Sequence, residues 1–309
     1  MPSGKVCRRS VLALAAGLPL VSLSAGRAAA GEMSGAAVRY TMSAFTNGSE
    51  TDLCVYESTD ATTFRLLRGF AYRPPSGVMR DPSIFRHVDG DYYLAYTPSA
   101  DGHAIGFARS ANRVDWTHLY DFTVPMPGIE ACWAPEWFVD VDGRVSIIVS
   151  LSYGRRFTPY LMTATDVSLR SWTVLTPMVG LISNLFDRAQ IGYIDTTVVA
   201  LNGRYFAFTK NETTKYIELA VAPTPLGPYV FVATGDWAHW GTPREGQSLV
   251  RRPDGGWRIY FDAYTDNKYF YSDSYDDFRT WTTPRELPGL SGTIRHVTVF
   301  PENLPESGT

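Results

Sequence analysis

Five polar residues that could carry acid–base chemistry open five strand-like segments of the chain. They are Asp81, Glu136, Asp195, Glu245 and His296. They are spaced 55, 59, 50 and 51 residues apart, so the openings recur with a nearly constant period. Carboxylates gathered in a partly desolvated pocket acquire pKa values that are pushed apart, which lets one give a proton and another take one. The residues therefore predict an acid–base site, provided that the fold brings them together.

The same local pattern follows the first four openings. Each segment has a polar start, an apolar strand, a turn dipeptide that tolerates positive φ, and then an aromatic strand. The turns are Asp89-Gly90, Asp142-Gly143, Asn202-Gly203 and Asp254-Gly255. A third strand and a short outer motif ending in an aromatic residue complete each unit. The pattern predicts repeated antiparallel units of four strands.

The two ends of the strand-rich region supply a fifth unit. Strands are expected around Val38–Thr46 and Asp52–Tyr56, and a lone opening strand is expected at Ile294–Phe300. A period of roughly 50 residues with four strands per unit is typical of a β-propeller. We predict an all-β, five-bladed β-propeller, its ring closed by the N-terminal strands plus the C-terminal inner strand. A β-sandwich is the alternative, but it predicts no such period. In a propeller, the first strands of the blades line the channel, so their polar starts would converge.

Composition and charge exclude several functions. Aromatic residues are 14% of the 309 residues and charged residues only 19%, which favours a β-rich protein. Without the four basic residues of positions 1–30, the net charge changes from −3 to −7. A mildly acidic chain without a Lys/Arg cluster is a poor nucleic-acid binder. No segment after residue 30 is apolar and long enough to span a membrane. We expect a neutral ligand, no nucleic-acid or membrane partner, and a monomer.

The first 30 residues resemble an export signal. Lys5, Arg8 and Arg9 precede an apolar run, and Ala28-Ala29-Ala30 offers a cleavage site. The paired arginines resemble a twin-arginine signal, and an ordinary secretory signal fits the segment equally. We predict a cleavable signal at 1–30, a single catalytic propeller domain at 31–309, and a secreted or periplasmic location.

Two cysteines remain once Cys7 is removed with the signal. Cys54 and Cys132 could form one disulfide in an oxidising compartment. Two buried free thiols are the alternative, and the sequence does not choose between them.

The openings together resemble glycoside hydrolase family 43. The motifs RDPSIF, WAPE, YIDTT, EGQS and RHVTV occur in this order, one per predicted blade, over nearly the whole chain after residue 30. The resemblance implies a five-bladed propeller that cleaves arabinofuranosides, xylosides and related linkages with inversion. It implies that Asp81 is the general base, Glu245 the general acid, and Asp195 the carboxylate that orients the acid and tunes its pKa. No cofactor is required in this scheme.

Further residues near the openings are candidates for substrate binding. Trp133 could stack on a sugar face and Glu136 could bind its hydroxyls, although WAPE could equally be a packed strand start. The candidates are Trp133, Glu136, Tyr193, Gln247 and Arg295. By the same resemblance, His296 lies near the channel axis, where related enzymes often hold a calcium or sodium ion. Trp237 and Trp240 could form a sugar platform at the rim, and ordinary core aromatics are the alternative.

The substrate is expected to be an oligosaccharide or a polysaccharide. The commonest family activity favours an α-L-arabinofuranosidase, with β-xylosidase and exo-β-galactanase as alternatives. A non-catalytic sugar-binding propeller is the rival from another class, but the opening residue differs from blade to blade, which suits one central site. A sialidase would need an arginine cluster and six blades, and retaining fructan hydrolases use an Asn where Arg80 stands.

Overall fold

A computed structural model of the chain describes residues 37–182 and 189–304. All regular elements in these ranges are strands: β1 Val38–Thr46, β2 Ser49–Ser58, β3 Arg65–Tyr72, β4 Arg80–Arg86, β5 Tyr92–Thr97, β6 Ala104–Ser110, β7 Thr117–Thr123, β8 Ala131–Val139, β9 Val145–Tyr153, β10 Arg156–Thr163, β11 Thr176–Pro177, β12 Tyr193–Leu201, β13 Arg204–Asn211, β14 Ile217–Ala222, β15 Val230–Ala233, β16 Glu245–Arg251, β17 Trp257–Ala263, β18 Lys268–Ser274, β19 Arg285–Glu286 and β20 Ile294–Asn303. Within the described ranges, no helix is long and apolar enough to cross a membrane. The predicted export signal, 1–30, lies outside the described residues.

The strands form five antiparallel sheets of four strands, and these are the blades of a propeller. Blade 1 is β4-β5-β6-β7, blade 2 is β8-β9-β10-β11, blade 3 is β12-β13-β14-β15, and blade 4 is β16-β17-β18-β19. Blade 5 has the order β20-β1-β2-β3, so its inner strand comes from the C-terminal end. The predicted five-bladed fold and its closure are confirmed. Closure leaves the ring without a gap between the first and last blades.

The four predicted turns form as expected. Gly90, Gly143, Gly203 and Gly255 all have positive φ, and each turn joins the first strand of a blade to its second. These turns are local, so the sequence alone sets the register of each hairpin.

Every inner strand carries a β-bulge near its start. The register shifts between Arg80 and Ser83 in β4, and at matching places in the other four inner strands. The bulge residues with positive φ are Asp81 (51°), Ala134 (50°), Asp195 (52°), Gly246 (57°) and His296 (39°). A bulge re-aims the side chains around it, here at the mouth of the channel.

The bulges correct one detail of the predicted repeat. Glu136 and Glu245 are not at positions equivalent to Asp81 and Asp195, because Ala134 and Gly246 occupy those places. Glu245 precedes its bulge residue, whereas Glu136 lies two residues beyond its own. The two glutamates therefore project differently from the two aspartates.

The core lies between neighbouring blades. Between blades 1 and 2, Phe85 packs on Trp137 with ring centroids 4.3 Å apart, and Phe107 packs on the same indole at 5.6 Å. Cys132 is buried in the same cluster. It and the half-buried Cys54 are free thiols, so the disulfide alternative is wrong.

Candidate active site

A cavity of about 260 Å³ opens at the end of the channel where the inner strands begin. Side chains from all five blades line it. They are Arg80, Asp81, Thr97, Ala100, Trp133, Ile194, Asp195, Lys210, Glu212, Glu245, Tyr264, Arg295 and His296. Residues more than 200 positions apart in sequence thus share one small polar cavity. The fold gathers Asp81, Asp195, Glu245 and His296, as the repeat predicted, but leaves Glu136 outside the lining.

Asp81 is an ionised carboxylate in this cavity. Its Oδ1 lies 3.1 Å from Nδ1 of His296, and its Oδ2 accepts a hydrogen bond of 2.8 Å from the Thr97 hydroxyl. Burial raises the pKa of Asp81, but the charge and hydrogen bond of His296 outweigh burial and set that pKa at about 2. A carboxylate that stays ionised over the working range can accept a proton from water.

Asp195 holds the backbone beside Glu245. Its Oδ2 accepts a hydrogen bond of 3.1 Å from the N–H of Gly246, and its own N–H donates to Ser150 Oγ at 3.2 Å. Burial raises the pKa of Asp195 to about 6. Asp81 and Asp195 thus occupy one cavity with well-separated pKa values, a pattern typical of acid–base sites.

Glu245 lies between two cations. Lys210 donates to its Oε2 at 2.7 Å, and Arg295 Nη2 donates to its Oε1 at 3.1 Å. Both carboxylate oxygens therefore accept hydrogen bonds from positive groups. Burial lowers the pKa of Lys210, but Glu245, Asp195 and Glu212 outweigh it and raise that pKa above its ordinary value. The ammonium remains charged.

Behind Arg295 lies Asp262, a further buried carboxylate. Arg295 Nε donates to Asp262 Oδ2, and the N–H of His296 donates to the same oxygen at 3.3 Å. Burial raises the pKa of Asp262 to about 6. The ring of Tyr264 faces Lys210, whose Nζ lies 5.0 Å from the ring centroid. Asp262 thus fixes Arg295, whereas Tyr264 offers Lys210 only a ring face.

Six of the predicted residues line the cavity: Asp81, Asp195, Glu245, Trp133, Arg295 and His296. Trp133 donates its indole N–H to Ala100 O at 2.7 Å and packs on Phe157 with centroids 4.6 Å apart. Both contacts hold the indole at the cavity wall, where it could receive a sugar face.

The other three predicted binding residues are outside the lining. Gln247 is buried, and its amide donates to the backbone oxygens of Asp195 and Phe208. Tyr193 stacks on Phe231 with centroids 4.9 Å apart. Neither side chain lines the cavity, and Gln247 instead holds the backbone of Asp195, which does.

Glu136, the third predicted binding residue outside the lining, lies deeper in the channel. It accepts a hydrogen bond of 3.4 Å from Thr298, and its neighbours include Ser83 and His296. Burial raises the pKa of Glu136 to about 7. The bulge at Ala134 explains this placement, because it leaves Glu136 two residues beyond the mouth of the cavity.

Of the two tryptophans before Glu245, Trp240 is a core residue. It is buried against Phe261 and Trp281, at centroid distances of 5.3 and 5.1 Å. Trp237 is half-buried beside it and donates to the Ile217 carbonyl at 3.0 Å. The core alternative is therefore confirmed over the rim platform.

Sequence reasoning missed five polar or aromatic lining residues: Arg80, Thr97, Lys210, Glu212 and Tyr264. Most lie at the ends of second strands or in the turns that follow, where no repeated motif marks them. The sequence does mark Lys210, because this lysine follows closely on the apolar and aromatic run YFAF. A buried lysine is rare without a carboxylate partner, so its position pointed to one.

The described residues contain no group of three or more His, Cys, Asp or Glu side chains placed to bind a metal ion. His296 directs Nδ1 at Asp81, which already occupies that nitrogen. The surroundings of His296 thus do not fit an ion held mainly by protein ligands, and the predicted channel ion stays a prediction.

Comparison with known proteins identifies the fold. No family model and no curated protein sequence matches the chain. Among solved structures, a thermostable family-43 glycoside hydrolase is 16% identical, with a TM-score of 0.63, covering 87% of this chain and 92% of its own. An endo-1,4-β-xylanase from Bacteroides thetaiotaomicron is 14% identical, with a TM-score of 0.62 and coverages of 84% and 93%. An endo-arabinase from the same organism is 15% identical, with a TM-score of 0.55 and coverages of 82% and 89%. The chain has the five-bladed propeller fold of family-43 glycoside hydrolases.

Proposed function

We propose that the protein is a glycoside hydrolase that cleaves its substrate with inversion at the anomeric carbon. The observation that carries this proposal is the meeting of Asp81, Asp195 and Glu245, from three different blades, in one cavity. Inverting hydrolysis requires one carboxylate to activate water and another carboxyl group to protonate the leaving oxygen. The similar solved structures, all glycoside hydrolases by description, support the same chemistry.

Asp81 is the general base of the proposed reaction. It is ionised and held by His296 and Thr97. Asp81 takes a proton from water while the water oxygen forms a bond to the anomeric carbon. The bond from that carbon to the leaving oxygen breaks, and its electron pair stays on the oxygen. Glu245 gives its proton to that oxygen, and Asp195 holds Glu245 through Gly246.

The finer parts of the proposal concern substrate and location. A terminal α-L-arabinofuranosyl residue on a plant-type polysaccharide is the favoured substrate, with β-xylosides and β-galactans as alternatives. Trp133 and Arg295 would contact the sugar. The signal-like residues 1–30 support work outside the cytoplasm, as a secreted or periplasmic protein.

The test is hydrolysis of a panel of aryl glycosides and polysaccharides, with the anomer of the product followed by NMR. Asp81→Asn and Glu245→Gln should lose about 10²-fold or more of the activity. Glu286→Gln is the matched control, because Glu286 is an exposed carboxylate paired with Lys268. An inactive wild type that still binds oligosaccharides would replace the proposal with a sugar-binding propeller. A product of retained configuration would refute inversion.

A further inference from the structure

Lys210 has two carboxylate neighbours in the cavity but bonds to only one of them. It is the last residue but one of β13 in blade 3, its side chain is 3% exposed, and it donates to Glu245 Oε2 at 2.7 Å. Its Nζ also lies 2.9 Å from Oε2 of Glu212, without the geometry of a hydrogen bond. This Glu212 oxygen is buried and accepts no hydrogen bond from the described part of the chain.

A buried carboxylate oxygen without a donor is costly, and Lys210 is near enough to satisfy it by a small rotation. The other oxygen of Glu212 already accepts from Lys215. Glu212 is therefore held in place with one acceptor open toward Lys210.

Arg295, the second cation on Glu245, lacks this freedom. Its Nε is bonded to the buried carboxylate of Asp262 while its Nη2 contacts Glu245. Turning Arg295 away would break the pair with Asp262. Of the two cations, Lys210 is the one that can leave Glu245 and still have a carboxylate partner.

Glu245 can donate a proton only if one of these two cations moves away from it. A proton on Glu245 Oε2 would face the N–H of Lys210, donor against donor, and the leaving oxygen of a sugar needs that same position. We propose that Lys210 is a positioning residue that holds Glu245 when the cavity is free of sugar and turns to Glu212 when the leaving oxygen takes its place. This rests on the proposed function, in which Glu245 is the acid.

The proton balance of this step is simple. Glu245 takes one proton from solvent as Lys210 turns to Glu212, and gives it to the leaving oxygen as the bond from that oxygen to the anomeric carbon breaks. The Glu245 carboxylate formed then regains Lys210 as its partner, which stabilises the charge that has developed. Lys210 keeps all of its protons throughout.

The experiment compares aryl glycosides of one sugar with leaving groups from dinitrophenol to phenol. A dinitrophenolate leaves without protonation, whereas a phenolate needs the acid. In Lys210→Met and in Glu212→Gln, kcat should fall by about 10²-fold on the phenyl glycoside. On the dinitrophenyl glycoside, kcat should fall by less than about 3-fold. Lys210→Arg should recover part of the loss. Lys268→Met, at an exposed lysine–glutamate pair, should behave as wild type.

The outcomes separate the two proposals. An equal loss on both leaving groups, or no loss in Glu212→Gln, would overturn the role of Lys210 and leave the hydrolase intact. A wild type that cleaves no glycoside would overturn both. If Lys210→Met fails to fold, as judged by thermal unfolding, the nearly isosteric Glu212→Gln decides alone.

Discussion

Asp195 in blade 3 accepts a hydrogen bond from the N–H of Gly246 in blade 4, at 3.1 Å. The two are the bulge residues of neighbouring inner strands, and Glu245 immediately precedes Gly246. One carboxylate thus fixes the backbone of the proposed acid across a blade boundary.

Asp195→Gly should lower kcat by about 10²-fold with little change in KM, because it removes the acceptor that positions Glu245. Glycine tolerates the positive φ of 52° at this position, so the fold should survive. Asp195→Asn keeps an acceptor oxygen, so it should lose less of kcat if the position of Glu245 matters more than the charge of Asp195. Steady-state kinetics and thermal unfolding check this, and a wild-type kcat in Asp195→Gly would contradict the role.

Thermal stability should fall as the pH rises from about 5 to about 9. Burial raises the pKa of Asp195 from 3.8 to about 6 and that of Glu136 from 4.5 to about 7. Burial lowers the pKa of His296, but Asp81 and Asp195 outweigh it and raise that pKa from 6.5 to about 9. A raised pKa contributes stability that is present below the unfolded pKa and is lost as the pH rises through the folded one.

The Tm measured at several pH values tests this. Glu136→Gln should flatten the part of the curve between pH 4.5 and about 7. Asp81 acts in the opposite direction, with stability present above its ordinary 3.8 and lost as the pH falls through about 2. A Tm that stays level or rises between about pH 5 and 9 would contradict the assignment of these groups.

Trp133→Ala should raise KM by about 10-fold with a smaller effect on kcat, because it removes the aromatic face at the cavity wall. Trp133→Phe should keep most of the affinity. Trp116→Phe is the control, since Trp116 lies outside the cavity lining and donates to Arg113 O. A KM in Trp133→Ala as little changed as that of Trp116→Phe would mean that Trp133 has only a packing role.

Gln247→Leu should lower the free energy of unfolding by about 1–3 kcal/mol, because it leaves the carbonyls of Asp195 and Phe208 without their buried donor. Denaturant unfolding measures this. A variant of unchanged stability and raised KM would instead restore the first prediction, that Gln247 contacts the substrate.

Local chemistry was sufficient to predict the blades. Turns such as Asp89-Gly90 and Asn202-Gly203 specify hairpins through a few adjacent residues, and the period of the openings counts the blades. The same period identified Asp81, Asp195, Glu245 and His296 as residues that would meet. The sequence did not predict how far along its strand each side chain lies. The bulge at Ala134 places Glu136 below the cavity, and no residue type there indicates a bulge.

The sequence by itself determined the hairpins, the number of blades and the candidate acids, because a hairpin depends on adjacent residues and the blades and acids follow from a repeat along the chain. Only the tertiary structure decided which charges touch. Lys210, Glu245 and Arg295 come from blades 3, 4 and 5, and their pairing depends on distances of about 3 Å that no spacing in the sequence encodes. The partners of Glu245 follow from the packing of three neighbouring blades.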